Sequence, residues 1–390
     1  MSDNAIYVYY LSNSMKNLIF KKFFSDSLGF FVFATLTMSV IVWTIQAVNY
    51  LDFVTEDGHG LEIYFKYTLL SLPKIISRIM PLIFFVTIYY TLNKFEDNNE
   101  LKIFWINGID KKIFIKKVIQ FSLLFFLFQF FLSVFIVPNS QIKARTYIQK
   151  SNIDFFPSLI NEKKFVDTVD KLTIYIDKKE KQNSYKNIFL KDIEGPDKIR
   201  IIYAKEGVLN NTKNNRTLIL YDGKIIDIKK KNITSFDFST TVFDLSKYLT
   251  KSIVDFKIQE QKTFFLIECN INYHFLKKQE FFNVNNCNDA SKSMTQEELF
   301  KRIFKPLYYL ALSLCACFLL LFSKENNNFK FLRFLIFLFG IAVIFFSEIS
   351  SSFSGSSDLQ FLISTLLPLI IFSILLTYLF QKLKSPKIKI

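Results

Sequence analysis

Residues 118–138 read VIQFSLLFFLFQFFLSVFIVP, twenty-one positions without a charged side chain. A helix needs about 20 apolar residues to cross the hydrocarbon core of a bilayer, so this stretch predicts a membrane span. Leu28–Leu51 also lacks any charge. Working outward by the same criterion, spans are predicted at 28–51, about 65–93, 118–138, about 303–323, 331–353 and 359–380. In lipid every backbone amide has to be satisfied within the segment, so each is expected to be helical. The second is the least clean, because it holds Lys74 and Arg78, and the fifth holds Glu348. The whole chain agrees: 390 residues, 51% hydrophobic, with 48 Phe and only 9 Gly, carry more apolar surface than one water-soluble core requires.

Cations alternate between the connections. Lys16, Lys21 and Lys22 precede span one, and Lys94, Lys102, Lys111, Lys112, Lys116 and Lys117 lie between spans two and three. Lys324, Lys330 and Arg333 follow span four, and Lys382, Lys384, Lys387 and Lys389 follow span six. The intervening connections hold Asp52, Glu56, Asp57 and Glu62, or Asp358. The positive-inside rule then predicts cytoplasmic termini and an external 139–302. The net charge of +15 is accounted for largely at this membrane edge, which argues against nucleic-acid binding. Span one is too long for a cleavable signal core. The basic run from Met15 reads as the natural lead into it, with residues 1–14 as an upstream extension.

The insert is polar and reads as all-β. Short apolar runs at 171–176, 187–190, 199–204, 217–221 and 224–228 are separated by turn signals at Gly195-Pro196, Asn210-Asn211, Asn214-Asn215 and Asp222-Gly223. Asp222-Gly223 between two apolar runs is the best hairpin signal in the chain. A sandwich, jelly roll or barrel-like half-shell is predicted. Residues 241–249 and those after 268 give no clear assignment, whereas 292–302 is predicted helical and leads into span four. The domains are therefore 1–27, 28–138 with a cytoplasmic connection at 94–117, 139–302, 303–380 and 381–390.

Cys269 and Cys287 lie where a disulfide is chemically permitted, with two free thiols as the alternative. Cys315 and Cys317 read as small apolar residues of span four. The two histidines, His59 and His274, have no neighbours at ligand spacing, so neither a metal nor another cofactor is expected. No Gly-x4-Gly-Lys-Ser/Thr loop is present, so ATP-driven work would require another chain docking on 94–117.

Residues 72–110, LPKIISRIMPLIFFVTIYYTLNKFEDNNELKIFWINGID, resemble the LptF/LptG family of lipopolysaccharide exporter permeases. The matching features are Pro73, Pro81, Glu100-Leu101 and Gly108-Ile109. A second match is ELFKRIFKPL at 298–307, with Phe300 where the family has His. The layout of three spans, an external β-jellyroll and three spans is also similar, and 79–84 leans towards the LptF type. The resemblance implies an α-helical membrane protein with an inserted all-β domain, acting as a non-enzymatic permease subunit in the Gram-negative inner membrane. Its implied partners are a cytoplasmic ABC ATPase dimer (LptB-like) and a homologous six-span permease (LptG-like). A single-span periplasmic jellyroll protein (LptC-like), a periplasmic bridge (LptA-like) and lipopolysaccharide itself complete the set.

By the same resemblance Glu100 matches the coupling-helix acid, Gly108 the glycine closing that helix, and Glu96, Asp97 and Lys102 are auxiliaries. An ordinary solvated acid is the other reading of Glu100. Arg302 and Pro306 match the entry to span four, as ligand contact or as structural anchor. Lys74 and Arg78, four apart, share one helix face near the outer leaflet. They read either as contacts for lipid phosphates or sugar acids, or as cations snorkelling to ordinary headgroups. The family's basic residues near the outer end of span one are replaced by Gln46 and Asn49. Glu348 reads as an acid facing the cavity, with Arg78 a candidate partner, or as a merely interfacial one. Two other classes remain open. A membrane glycosyl- or phosphotransferase would use Asp52, Glu56, Asp57 and His59, and a mechanotransmission protein would carry its external domain between spans one and two.

Overall fold

Proline and glycine decide where the long apolar runs bend and how closely they pack. In the computed structural model the described residues are 2–51, 61–151, 162–169, 172–180, 184–195, 198–211, 216–229, 232–245, 257–275 and 289–384. Asp52, Glu56, Asp57, His59 and Cys287 lie outside them. Six helical stretches are long and apolar enough to span: Leu18–Asn49, Leu61–Asp97, Lys111–Ile148, Lys292–Leu321, Phe329–Phe353 and Asp358–Lys384. All six predicted spans are therefore present, and a β-sheet is inserted between the third and fourth. That position disfavours the mechanotransmission layout.

The helices are α1 (Ser2–Asn49), α2 (Leu61–Leu70), α3 (Leu72–Asp97), α4 (Glu100–Ile106), α5 (Lys111–Phe131) and α6 (Val137–Ser151). After the sheet come α7 (Thr263–Phe275), α8 (Asp289–Leu299), α9 (Tyr308–Cys317), α10 (Phe329–Phe353) and α11 (Asp358–Lys384). Span two is not one uninterrupted helix. It breaks at Ser71 because Pro73 lacks the N–H a continuous ladder needs, yet sits well in the first turn of a new helix. Helix α7 has no counterpart in the sequence reading. Its Cys269 is disulfide-bonded, while Cys315 and Cys317 are buried free thiols.

The chain divides into two compact units, residues 1–44, 71–141 and 257–390 forming one, and 45–70 with 142–256 the other. In the first, α9 is the central element: every residue that it buries, from Tyr308 to Cys317, is enclosed by neighbouring helices. Aromatic rings do much of the filling, with Phe84 4.9 Å from Tyr309 and 5.0 Å from Phe125, centroid to centroid. Helices α3 and α10 approach closely at Gly340, where a Cβ would lie 1.9 Å from the Phe85 ring. By contrast α1, α10 and α11 expose rows of Phe, Leu and Ile, as lipid-facing helices do.

The second unit holds a six-stranded antiparallel meander, β1 (Phe165–Val169), β2 (Leu172–Glu180), β3 (Ser184–Gly195), β4 (Lys198–Asn211), β5 (Arg216–Lys229) and β6 (Asn232–Asp244). Alternation buries Leu172, Ile174 and Ile176 with Ile188, Leu190, Ile202, Leu218 and Leu220 on one face. Asp222-Gly223 is not a hairpin turn: β5 runs straight through it. Asp222 takes the left-handed φ of 47° that such a turn would demand, and Asn187 takes 51°. The ladder skips both residues while its register is unchanged on either side, Ala204 pairing Gly223 and Glu206 pairing Tyr221. Asp177, Asn187, Lys205, Asp222 and Ser239 thus form one row that the ladder skips, with Asn187 Nδ2 donating to Asp177 Oδ2 at 3.2 Å within it. Turn chemistry was present, yet Asp222 takes its left-handed φ inside a continuing strand instead of ending it.

The close approach at Gly340 is testable. Overpacking by one methyl typically costs about 1–3 kcal/mol, so Gly340→Ala should lower the thermal midpoint of the detergent-solubilised protein, and Phe85→Leu in that background should recover part of the loss.

Candidate functional site in a charged cavity among the spans

On α3, Lys74, Ser77, Arg78 and Pro81 recur at helical spacing and share one face, and that face lines a cavity of about 370 Å³. Pro81 has no N–H to offer the carbonyl of Ser77, one turn earlier. Gln129 of α5 fills the vacancy, donating from Nε2 to Ser77 O at 3.0 Å, and also to Ser77 Oγ at 2.9 Å and Ser133 Oγ at 3.2 Å. Tyr309 Oη lies 3.5 Å from Gln129 Oε1.

The same proline chemistry shapes two further walls. Residues Leu132–Ile136 and Phe300–Phe304 are π-helical turns, closed by Val137 N–H on Leu132 O and by Lys305 N–H on Phe300 O. One residue beyond each comes a proline, Pro138 after Val137 or Pro306 after Lys305, which removes the donor that an α-ladder would use next. Such widened turns recur at functional sites. The Val134 carbonyl, orphaned by Pro138, accepts from Thr263 Oγ1 at 2.8 Å. Arg302 in turn donates from Nη1 to Thr263 Oγ1 at 2.9 Å and to Gln261 O at 2.8 Å, from Nη2 to Gln259 O at 3.0 Å, and from Nε to Glu298 Oε1 at 2.8 Å. With four such bonds and 3% exposure, Arg302 braces the lead into α7 against the entry to span four, as the anchor alternative has it.

The other cavity cations of that wall are also paired. Lys301 Nζ meets Glu297 Oε1 at 2.5 Å, and Lys305 Nζ meets Glu348 Oε1 at 2.5 Å. Glu348 therefore faces the cavity with Lys305 as its partner, not Arg78. Lys74 and Arg78 form no ion pair among the described residues, and they lie in the same cavity as these three pairs. Lys74, Arg78, Arg302 and Glu348, the four candidates far apart in sequence, are thus brought together. Sequence reasoning missed Gln129, Ser133, Thr263, Lys301 and Lys305. The available signal was a proline inside each apolar run.

Glu96, Asp97, Glu100, Lys102 and Gly108 do not line the cavity. They lie at the opposite end of α3 and around α4. Asn99, with φ of 60°, turns the chain into α4, and Gly108, with φ of 73°, ends it, Ile109 N–H returning to Phe104 O at 3.1 Å. Leu101 and Phe104 are buried beneath α4, next to a ring cluster in which Phe95 lies 5.8 Å and Phe114 6.0 Å from Phe104. Glu100 Oε2 accepts from Lys22 Nζ at 2.8 Å. Glu96 caps the connection after span four, accepting from Lys324 N at 2.9 Å. Asp97 pairs with Arg333 and Lys102 with Glu325, and this last contact holds the Glu325 carboxyl below its usual range. Outward, Ile103 is 52% and Ile106 84% exposed, an apolar pair on the solvent side of a short helix.

Known proteins match this chain. An uncharacterised protein of Rickettsia prowazekii (strain Madrid E), RP871, is 24% identical over 230 residues, covering 58% of this chain and 64% of that protein. The model of the family described as "Lipopolysaccharide export system permease LptF/LptG" matches residues 21–382, and the chain belongs to that family.

Proposed function

We propose that this chain is a permease subunit, of the LptF type, in an ATP-driven exporter that lifts lipopolysaccharide out of the inner membrane. The observation that carries this reading is that Lys74 and Arg78 form no ion pair among the described residues, in a cavity whose other basic side chains are each matched to a carboxylate. Charge at membrane depth is costly and is kept where a partner will meet it. An i, i+4 pair with a hydroxyl, Ser77, between them suits the phosphates or acidic sugars of a lipid headgroup, because charge-assisted bonds to such oxygens are the strong ones. Arg302 and Glu348 shape that cavity from the opposite wall.

With the basic connections cytoplasmic and the sheet periplasmic, α4 is the dock for a separate ATPase dimer, using Glu100 and the exposed Ile103 and Ile106. The neighbouring pairs of Glu96, Asp97 and Lys102 tie that dock to the connection after span four. A homologous six-span chain completes the cavity. The outer strand β6, thirteen residues with Ile233, Phe236 and Val242 exposed, offers the edge on which periplasmic jellyroll partners add.

Two experiments test these assignments. Lys74→Ala/Arg78→Ala should weaken lipopolysaccharide crosslinking to the purified complex by more than about tenfold, since each lost charge-assisted bond is worth about 1.5–3 kcal/mol, and unchanged crosslinking removes the cavity from the pathway. Ile106→Asp leaves the core untouched, so the variant should insert and fold normally yet fail to co-purify with a nucleotide-binding subunit. Full retention of that subunit would place the dock elsewhere.

A further inference from the structure

Gln129 is 5% exposed, within an apolar run, and its amide serves the carbonyl and hydroxyl of Ser77 together with the hydroxyl of Ser133. A buried glutamine at membrane depth needs a reason, because each unsatisfied polar group in hydrocarbon is expensive. The reason is local: Pro81 removes the N–H that Ser77 O would otherwise accept, and Gln129 supplies a replacement from another helix. Ser77 stands in the same turn as Lys74 and Arg78, on the cavity face. Whatever fixes Ser77 therefore fixes the direction of the two cations.

We propose that Gln129 is a positioning residue for the cavity's anion contacts, acting through Ser77 to hold the first turns of α3, ahead of Pro81, so that Lys74 and Arg78 face the cavity. This rests on the reading of that cavity as an anion site. Ordinary interhelical glue would also use a buried amide, but it would be indifferent to the two cations and to the proline. The dependence on both separates the two roles.

The test uses the complete complex in detergent and the binding of bis-phosphorylated lipid A, with dephosphorylated lipid A as control. Gln129→Leu should weaken binding of the phosphorylated lipid about tenfold, the scale of one lost charge-assisted bond, and leave the control unmoved. Pro81→Ala returns a backbone N–H to Ser77 O, so Pro81→Ala/Gln129→Leu should recover binding. In the Lys74→Ala/Arg78→Ala background, Gln129→Leu should change binding by less than about twofold, as coupled residues do when their shared partner is gone. Gln129→Asn, an amide too short to reach, gives the same comparisons if the leucine variant does not assemble. An equal loss with and without the two cations overturns the proposal, and so does a loss that Pro81→Ala fails to recover. If removing both cations leaves lipid A binding unchanged, the anion-site reading itself fails. Positioning is then judged separately by spin-label distances between positions 78 and 301, which Gln129→Leu should broaden and Pro81→Ala restore. A distribution unaltered by Gln129→Leu overturns it.

Discussion

A backbone carbonyl that faces lipid needs a donor, and every proline inside a span takes one away. This chain places Pro81 and Pro306 in the lining of one cavity and Pro138 next to its lining residue Val137, and its local architecture follows from how the freed carbonyls are met. Gln129 answers for Pro81 and Thr263 for Pro138, while the turns ahead of Pro138 and Pro306 relax to the wider π spacing. Each answer ties a side chain from a different element to the proline-interrupted helix. The interrupted turns are thus held by hydrogen bonds between elements, and Pro81 and Pro306 both line the cavity beside them.

Into that space the chain puts charge, and puts it unequally. Arg302 is consumed by a carboxylate, two carbonyls and a hydroxyl, and it holds the same Thr263 that serves Val134. Lys301 and Lys305 are neutralised across short distances by Glu297 and Glu348. Structural need accounts for these three cations, and it does not account for Lys74 and Arg78. On the proposed reading, the difference in pairing, more than the number of cations, marks one helix face as the place for an external anion.

Composition makes the spans legible, because lipid imposes a length and a polarity that few other constraints mimic. The shared face of Lys74 and Arg78 is equally legible from spacing, whereas the left-handed glycine that ends α4 was expected through the family resemblance alone. Other features lie beyond a local reading. Asp222-Gly223 carries the residue types of a tight turn, and only the neighbouring strands show that β5 continues through it. Helix α7 is too short for a span and lacks a clear cap. Gln129 is one polar letter in an apolar run, and its role depends on a proline 48 positions earlier, so no window contains both. Glu348 was assignable to a cation, but choosing Lys305 over Arg78 requires knowing which helix faces span five.

Helix α3 links the two ends of this arrangement. Its 26 residues span about 39 Å at 1.5 Å per residue, from the Lys74–Arg78 turn to Glu96 and Asp97 beside α4. Below Pro81 its packing is tight: Phe84, Phe85, Ile88, Leu92 and Phe95 are completely buried. Above Pro81 the ladder is interrupted and the turn is held by Gln129 instead. If Gln129 sets the angle of the two cations, as proposed, a displacement of α4 would travel along the packed segment and be absorbed at the proline. On the proposed reading, the site that meets the lipid and the site that meets the ATPase are two ends of one lever, with its compliant point beside the cavity.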